Sequence, residues 1–181
     1  MTVQVPRMLV IGYGNPGRLD DGLGPALATA IEKLALPGVR VECNYQLTVE
    51  DAAAIAKHDI VIFADAAVSG SAPFFLQRVQ PSGEMGFSTH SVEPAELMAL
   101  VKKLFGADAQ GYALGLRGYS FNEFGERLSE QAKFNLTAAV EYLVQALRKG
   151  TFSEVGSGPD TAHANGHAGS NGDRKCKKAN T

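Results

Sequence analysis

Apolar residues fall along this chain in two rhythms, one short and continuous and the other spaced three or four apart. Residues 7–13 form a continuous apolar run bounded by Gly, the pattern of a buried strand. Residues 23–35 (LGPALATAIEKLA) return apolar side chains at helical spacing, with Pro25 tolerable only in a first turn. Residues 39–44 (VRVECN) alternate as a second strand, and 49–57 (VEDAAAIAK) read as a short Ala-rich helix. The run from Asp59 to Asp65 is nearly all apolar, as a parallel strand covered on both faces requires. Residues 73–80 (PFFLQRVQ) read as a strand suited to an edge, and 93–105 as an amphipathic helix stopped by Gly106. A fifth strand is expected at 112–119, although Gly115 and Gly118 weaken it. Ser129 then caps a long helix to about Lys149, with Leu136, Val140, Leu143, Val144 and Leu147 on its apolar face.

Strand and helix thus alternate through residue 150. The expected fold is a single three-layer α/β domain over 1–150. Its twisted sheet has five strands, mostly parallel, with helices on both faces and room for one antiparallel strand. From Thr151 the chain turns small, polar and Gly-rich, so 151–181 is expected to be a disordered tail, its His163, His167 and Cys176 scattered among small residues. At 181 residues and 45% hydrophobic content there is room for one well-buried domain. A net charge of −2 gives no basic field for nucleic acid, and no apolar run approaches the ~20 residues that cross a bilayer. The first residues carry no charged leader followed by an apolar segment, so export is not expected. With only Cys43 and Cys176, no disulfide is expected and the natural compartment is a reducing cytoplasm.

The chemistry concentrates where the first strand empties into GYGNPGRLDDGLG. Gly12-Tyr13-Gly14-Asn15-Pro16-Gly17 matches the GxGxxG dinucleotide fingerprint letter for letter, and Glu42 could imitate its ribose-binding acid. Yet Pro16-Gly17 makes a turn, the helix is delayed beyond Gly22, and Asp20 and Asp21 fall where two phosphate charges would lie. A plainer alternative makes the glycines a turn and the aspartates caps that favour the helix dipole.

Two further residues raise the case for a site. Asp65 ends the most apolar strand, where a charge is costly unless it meets a cation or donors. Strand tips are also where α/β sheets assemble their ligand sites. His90 lies in the polar segment Phe87-Ser88-Thr89-His90-Ser91, directly before a helix. Taken alone, His90 is an ordinary loop histidine. Together, two carboxylates and an imidazole form a mixed oxygen and nitrogen set suited to nickel or zinc rather than magnesium. Asp21 and Asp65 could also share a proton in the manner of aspartic proteases, though spacing alone does not bring them close. His58, at a probable helix end, is assigned no chemistry, and no Ser-His-Asp order or GxSxG elbow is present.

Four segments carry a resemblance over about Met8 to Leu147. GYGNPGRLDDGLG is similar to the GxGN…D[DE]GxG signature of the nickel-iron hydrogenase maturation endopeptidases. IVIFADAA resembles that family's second, Asp-bearing strand, and FSTHSVEPAEL its His-bearing loop and helix. LRGYSFNEFGERLS resembles its closing segment. The resemblance implies an endopeptidase that removes a short C-terminal extension from the precursor of a hydrogenase large subunit after nickel insertion. It also implies that Asp21, Asp65 and His90 are both the nickel ligands and the catalytic positions, with nickel supplied by the precursor and acting as a recognition element. Where many members carry Asp-Gly-Gly after the second strand, this chain reads Asn44-Tyr45-Gln46-Leu47, which leaves no acid there and offers Gln46 as a substrate contact. Some members place Glu where this chain has the shorter Asp21. Three other readings stand beside this one: a nucleotide-binding Rossmann-like protein, a non-catalytic nickel carrier using the tail histidines, and a related peptidase acting on another precursor.

Overall fold

The computed structural model describes residues 5–82 and 92–159. Its parallel core is β1 (Met8–Tyr13), β2 (Val39–Asn44), β3 (Ile60–Ala67) and β5 (Gln110–Arg117). β4 (Phe74–Val79) joins antiparallel to β5 at one edge, giving the order β2-β1-β3-β5-β4. The helices are α1 (Leu23–Glu32), α2 (Asp51–Ile55), α3 (Pro94–Phe105) and α4 (Glu130–Lys149). The chain leaves β1 toward β2 and then returns past β1 to β3, so the winding direction reverses between β1 and β3. In an open α/β sheet, the carboxyl ends of the two strands at such a reversal leave a crevice.

The period of two along a strand divides the core into two layers. Met8, Val10, Ile60, Ile62 and Ala64 face α1 and α4, whereas Leu9, Ile11, Val61 and Phe63 face α2 and α3. Both strands are buried along nearly their whole length, which accounts for their continuous apolar runs. Two helix ends match the sequence signals: Gly106 takes a left-handed C-cap conformation, and Ser129 Oγ accepts the Ala132 N–H at 3.2 Å as an N-cap; Gly150 ends α4 in the same left-handed conformation as Gly106. Gly115 does not break β5. It makes room for the ring of Phe75, which lies directly over it.

The chain beyond α4 departs from expectation. Residues 151–159, read from the sequence as the start of a polar tail, run along the open edge of β4. Val155 and Leu76 exchange backbone hydrogen bonds of 2.8 and 3.0 Å, and Ser71 N–H donates to Ser157 O at 2.8 Å. Phe152 packs on Tyr112 with ring centroids 5.1 Å apart. Two apolar side chains in an otherwise polar stretch, together with an unpaired strand edge, are enough to order it. Among the described residues no helix is long and apolar enough to cross a membrane.

Candidate functional site

The two layers end differently at the carboxyl edge of the sheet. The stripe Leu9, Ile11, Tyr13 on β1 and the stripe Val61, Phe63, Asp65 on β3 face the same layer, and each closes on a polar group. Both open into a cleft of about 260 Å³, walled also by Gly14, Asp21, Tyr45, Gln46, Leu47, Val92 and Glu93. Asp21 and Asp65, separated by 44 residues in sequence, therefore meet at the winding reversal. His90 lies outside the described residues, and Val92 and Glu93, which resume the described chain, line the cleft. Among the described residues, no three of His, Cys, Asp or Glu stand as a metal-binding group.

Each wall has a local cause. Gly14 takes φ +134°, a conformation that side chains resist, and its missing Cβ lets the Asp21 carbonyl approach. The single 3-10 turn Leu19–Gly22 presents Asp21, whose Oδ2 accepts the Asn15 N–H at 3.0 Å. Gly24 lets the first turn of α1 rest against the strands, because a Cβ there would overlap the carbonyl oxygens of Tyr13 and Ala64. After β2, buried Asp51 accepts Thr48 N–H at 2.7 Å and Asn44 Nδ2 at 3.2 Å, fixing the turn that bears Tyr45, Gln46 and Leu47. Glu93 is the N-cap of α3 in a capping box with Glu96, so the helix start fixes an acid at the rim.

The electrostatics follow from this packing. Burial pushes the Asp65 carboxyl up to about 7, opposed by its 2.7 Å bond from Ala66 N–H and reinforced by the charges of Asp21 and Glu93. Burial also raises the Tyr13 hydroxyl, with the charges of Asp65 and Glu93 adding to the effect, so it stays protonated as a donor inside the cleft. Asp20, the neighbour of Asp21, is completely buried and points the other way. Burial would raise its carboxyl, but bonds from Ser129 N, Tyr119 N, Ser129 Oγ and Ser120 N hold it below the usual range. Asp20 therefore caps no part of α1; it binds the 119–129 segment.

The phosphate reading of the Gly-rich loop fails on its donors. Gly14 N–H goes to Asn44 O, Asn15 N–H to Asp21, Gly17 N–H to Asn15 Oδ1, and those of Arg18, Leu19, Asp20 and Asp21 to backbone carbonyls. Pro16 has none, so no amide from residue 14 to 21 is free for a pyrophosphate. Glu42 is paired with Arg40 at 2.9 Å. Of the other residues weighed from sequence, Cys43 is an exposed free thiol, and His58 Nδ1 bonds the Ala54 carbonyl at 2.7 Å.

Known structures share this arrangement of elements. A [NiFe] hydrogenase maturation protease HycI from Thermococcus kodakarensis KOD1 superposes with a TM-score of 0.64 at 24% identity, over 79% of this chain and 93% of that one. The hydrogenase maturating endopeptidase HybD from E. coli gives 0.60 at 23%, over 83% and 97%. A hydrogenase 2 maturation peptidase from a Thaumarchaeota archaeon gives 0.58 at 26%, over 78% and 98%. The fold is that of the hydrogenase maturation peptidases. No protein-family model matches the sequence, and neither does any curated protein. The hydrogenase maturation peptidase fold agrees with the mixed sheet and two helical layers expected from the sequence. Tyr13 and Glu93 went unassigned in the sequence. Tyr13 was legible as the next even step after Leu9 and Ile11, and Glu93 as a capping residue immediately before Pro94.

Proposed function

We propose that this chain is an endopeptidase that removes a C-terminal extension from the nickel-loaded precursor of a nickel-iron hydrogenase large subunit. Asp21, Asp65 and His90 engage the nickel already seated in the precursor, so the metal arrives with the substrate and marks it as ready for cleavage. The observation that carries this reading is the meeting of Asp21 and Asp65 in one cleft at the winding reversal, on a fold whose solved neighbours are hydrogenase maturation peptidases. His90 precedes two cleft residues in sequence and supplies the imidazole that a nickel site favours over magnesium. The chemistry needed is the addition of water to a peptide carbonyl, with a proton delivered to the departing amine. In the metal-free protein burial raises the Asp65 carboxyl to about 7, and engaging nickel would release that proton into the cleft, where the departing amine needs one. Nickel bound at the site would polarise the carbonyl or acidify the attacking water. Gln46 and Tyr13 are neutral donors on the cleft wall, able to hold the peptide backbone.

The test is incubation with a nickel-loaded large-subunit precursor, with mass spectrometry of the released peptide. Wild-type protein is expected to release one C-terminal fragment, and Asp21→Ala, Asp65→Ala and His90→Ala to release none while melting cooperatively. An intact precursor after exposure to wild-type protein, or full cleavage by the Asp65→Ala or His90→Ala variant, refutes the assignment.

A further inference from the structure

Asp20 is the only charged side chain among the described residues with no solvent exposure at all. Its Oδ1 accepts Ser129 N–H at 2.7 Å, and its Oδ2 accepts Tyr119 N–H at 2.8 Å, Ser120 N–H at 3.0 Å and the Ser129 hydroxyl at 2.8 Å. All four donors lie about a hundred residues further along the chain. The backbone repeats the connection: Asp20 N–H donates to Ser120 O at 3.0 Å, Leu19 N–H to Gly125 O at 2.8 Å, and Gly125 N–H to Gly17 O at 2.8 Å. The site loop from Gly17 to Asp20 is thus fastened at both edges to the segment between β5 and α4. A turn this short has few bonds of its own, and its single 3-10 turn is closed by Asp21 N–H on Arg18 O at 3.2 Å.

We propose that Asp20 is a positioning residue for Asp21. By locking the 119–129 segment onto the loop, it fixes the turn from which Asp21 projects, and so holds the Asp21 carboxylate on Asn15 N–H and in the cleft with Asp65. The 119–129 segment is then part of the site without touching it. The consequence for catalysis rests on the peptidase reading; the consequence for geometry does not. Asn cannot replace Asp here. Either way its amide is turned, an NH2 meets a backbone N–H, that of Ser129 at one end or those of Tyr119 and Ser120 at the other. Ser129→Ala removes one of the four bonds, together with the Ala132 cap of α4, and leaves the other three.

The experiment compares wild-type full-length protein with Asp20→Asn and Ser129→Ala by amide hydrogen exchange and by processing kinetics. Exchange at the Asn15 amide reports directly on the Asp21 carboxylate, with no substrate present. Asp20→Asn is expected to speed Asn15 exchange about tenfold or more while Val10 and Ile62 in the sheet keep their protection. Ser129→Ala is expected to do the same more weakly. With precursor, kcat/KM should fall about tenfold or more, since the Asp21 carboxylate that engages the nickel is no longer held in place. Unchanged Asn15 exchange in Asp20→Asn overturns the proposal. So does a loss spread equally over Val10 and Ile62, which would make Asp20 a residue of global stability. If wild-type protein leaves the precursor intact, the peptidase reading falls, while the exchange comparison still decides the role of Asp20.

Discussion

Replacing Asp65 by Asn should stabilise this protein at alkaline pH and leave it nearly unchanged in acid. The unfolded carboxyl titrates at its ordinary 3.8, whereas burial beside Asp21 and Glu93 raises the folded one to about 7. Between those two values the native chain holds a proton that the unfolded chain has lost. Stability attributable to Asp65 therefore falls as pH rises through that window and is constant above it. The difference corresponds to about 4 kcal/mol as an upper bound, at 1.36 kcal/mol for each tenfold change in proton affinity. Asn keeps an oxygen for the Ala66 N–H and carries no charge at any pH. Urea unfolding of wild-type and Asp65→Asn proteins at pH 4.5 and pH 8 isolates the effect, because contributions from other groups, including Asp20 with its lowered carboxyl, cancel in the comparison. Asp65→Asn is expected to gain a large part of that energy at pH 8, or about 10 °C in Tm, and only about a quarter as much at pH 4.5, which lies less than one unit above the unfolded carboxyl. The same substitution should abolish processing. An equal stability difference at both pH values would refute the reasoning, since it would show that Asp65 is not desolvated by its neighbours in the folded state.

Two further perturbations test the framework around the site. Gly24→Ala would press a methyl group into the carbonyl oxygens of Tyr13 and Ala64 and should cost roughly 3 kcal/mol, measured by urea unfolding; a loss below 1 kcal/mol would mean that α1 does not rest on β1 and β3 as described. Truncation after Pro159 should leave Tm and processing unchanged, whereas truncation after Gly150 strips Phe152 and Val155 from the β4 edge and should cost roughly 2–3 kcal/mol by the same measurement. Equal stability of the two truncated proteins would remove the edge strand from the account.

Much of the architecture was legible because β1 and β3 are buried on both faces, and that burial leaves continuous apolar runs which no surface element shares. Caps were equally legible: Ser129 and Gly106 satisfy helix ends by local chemistry that needs no tertiary knowledge. The meeting of Asp21 and Asp65 was not. It depends on strand order, and the same elements wound without a reversal between β1 and β3 would have left the two acids at separated strand ends. Sequence offered Asp20 only as a capping or supporting residue and could not name what it supports, because its partners at Tyr119, Ser120 and Ser129 are distant and two of the three donate through backbone amides alone, which no residue type announces. Residues 151–159 were misread for a related reason. Their composition is that of a tail, and what orders them is the unpaired edge of β4, a property of the sheet rather than of the segment.

The Gly-rich loop shows why a motif and its chemistry can separate. A glycine late in β1 and another early in the following helix are demanded by close helix–strand approach, as Gly12 and Gly24 demonstrate here, whatever the loop goes on to bind. Dinucleotide folds meet the same packing requirement at the strand end, so Gly12 coincides with their first glycine, whereas Gly24 stands outside the matching letters. Function then depends on where the loop's amides are spent. When they remain free at a helix start they collect phosphate charge. Here the Asn15 amide is taken by the carboxylate of Asp21, and the other amides of the loop go to carbonyls or to Asn15 Oδ1. The loop therefore faces the cleft with negative charge instead of donors, and what it can attract is a cation or a proton. Removing Asp21 would free a single amide, too few to restore an anion site, so Asp21→Ala should lose processing without gaining affinity for NAD. A rise in Tm on adding NAD to that variant would show that the loop's remaining amides are available after all.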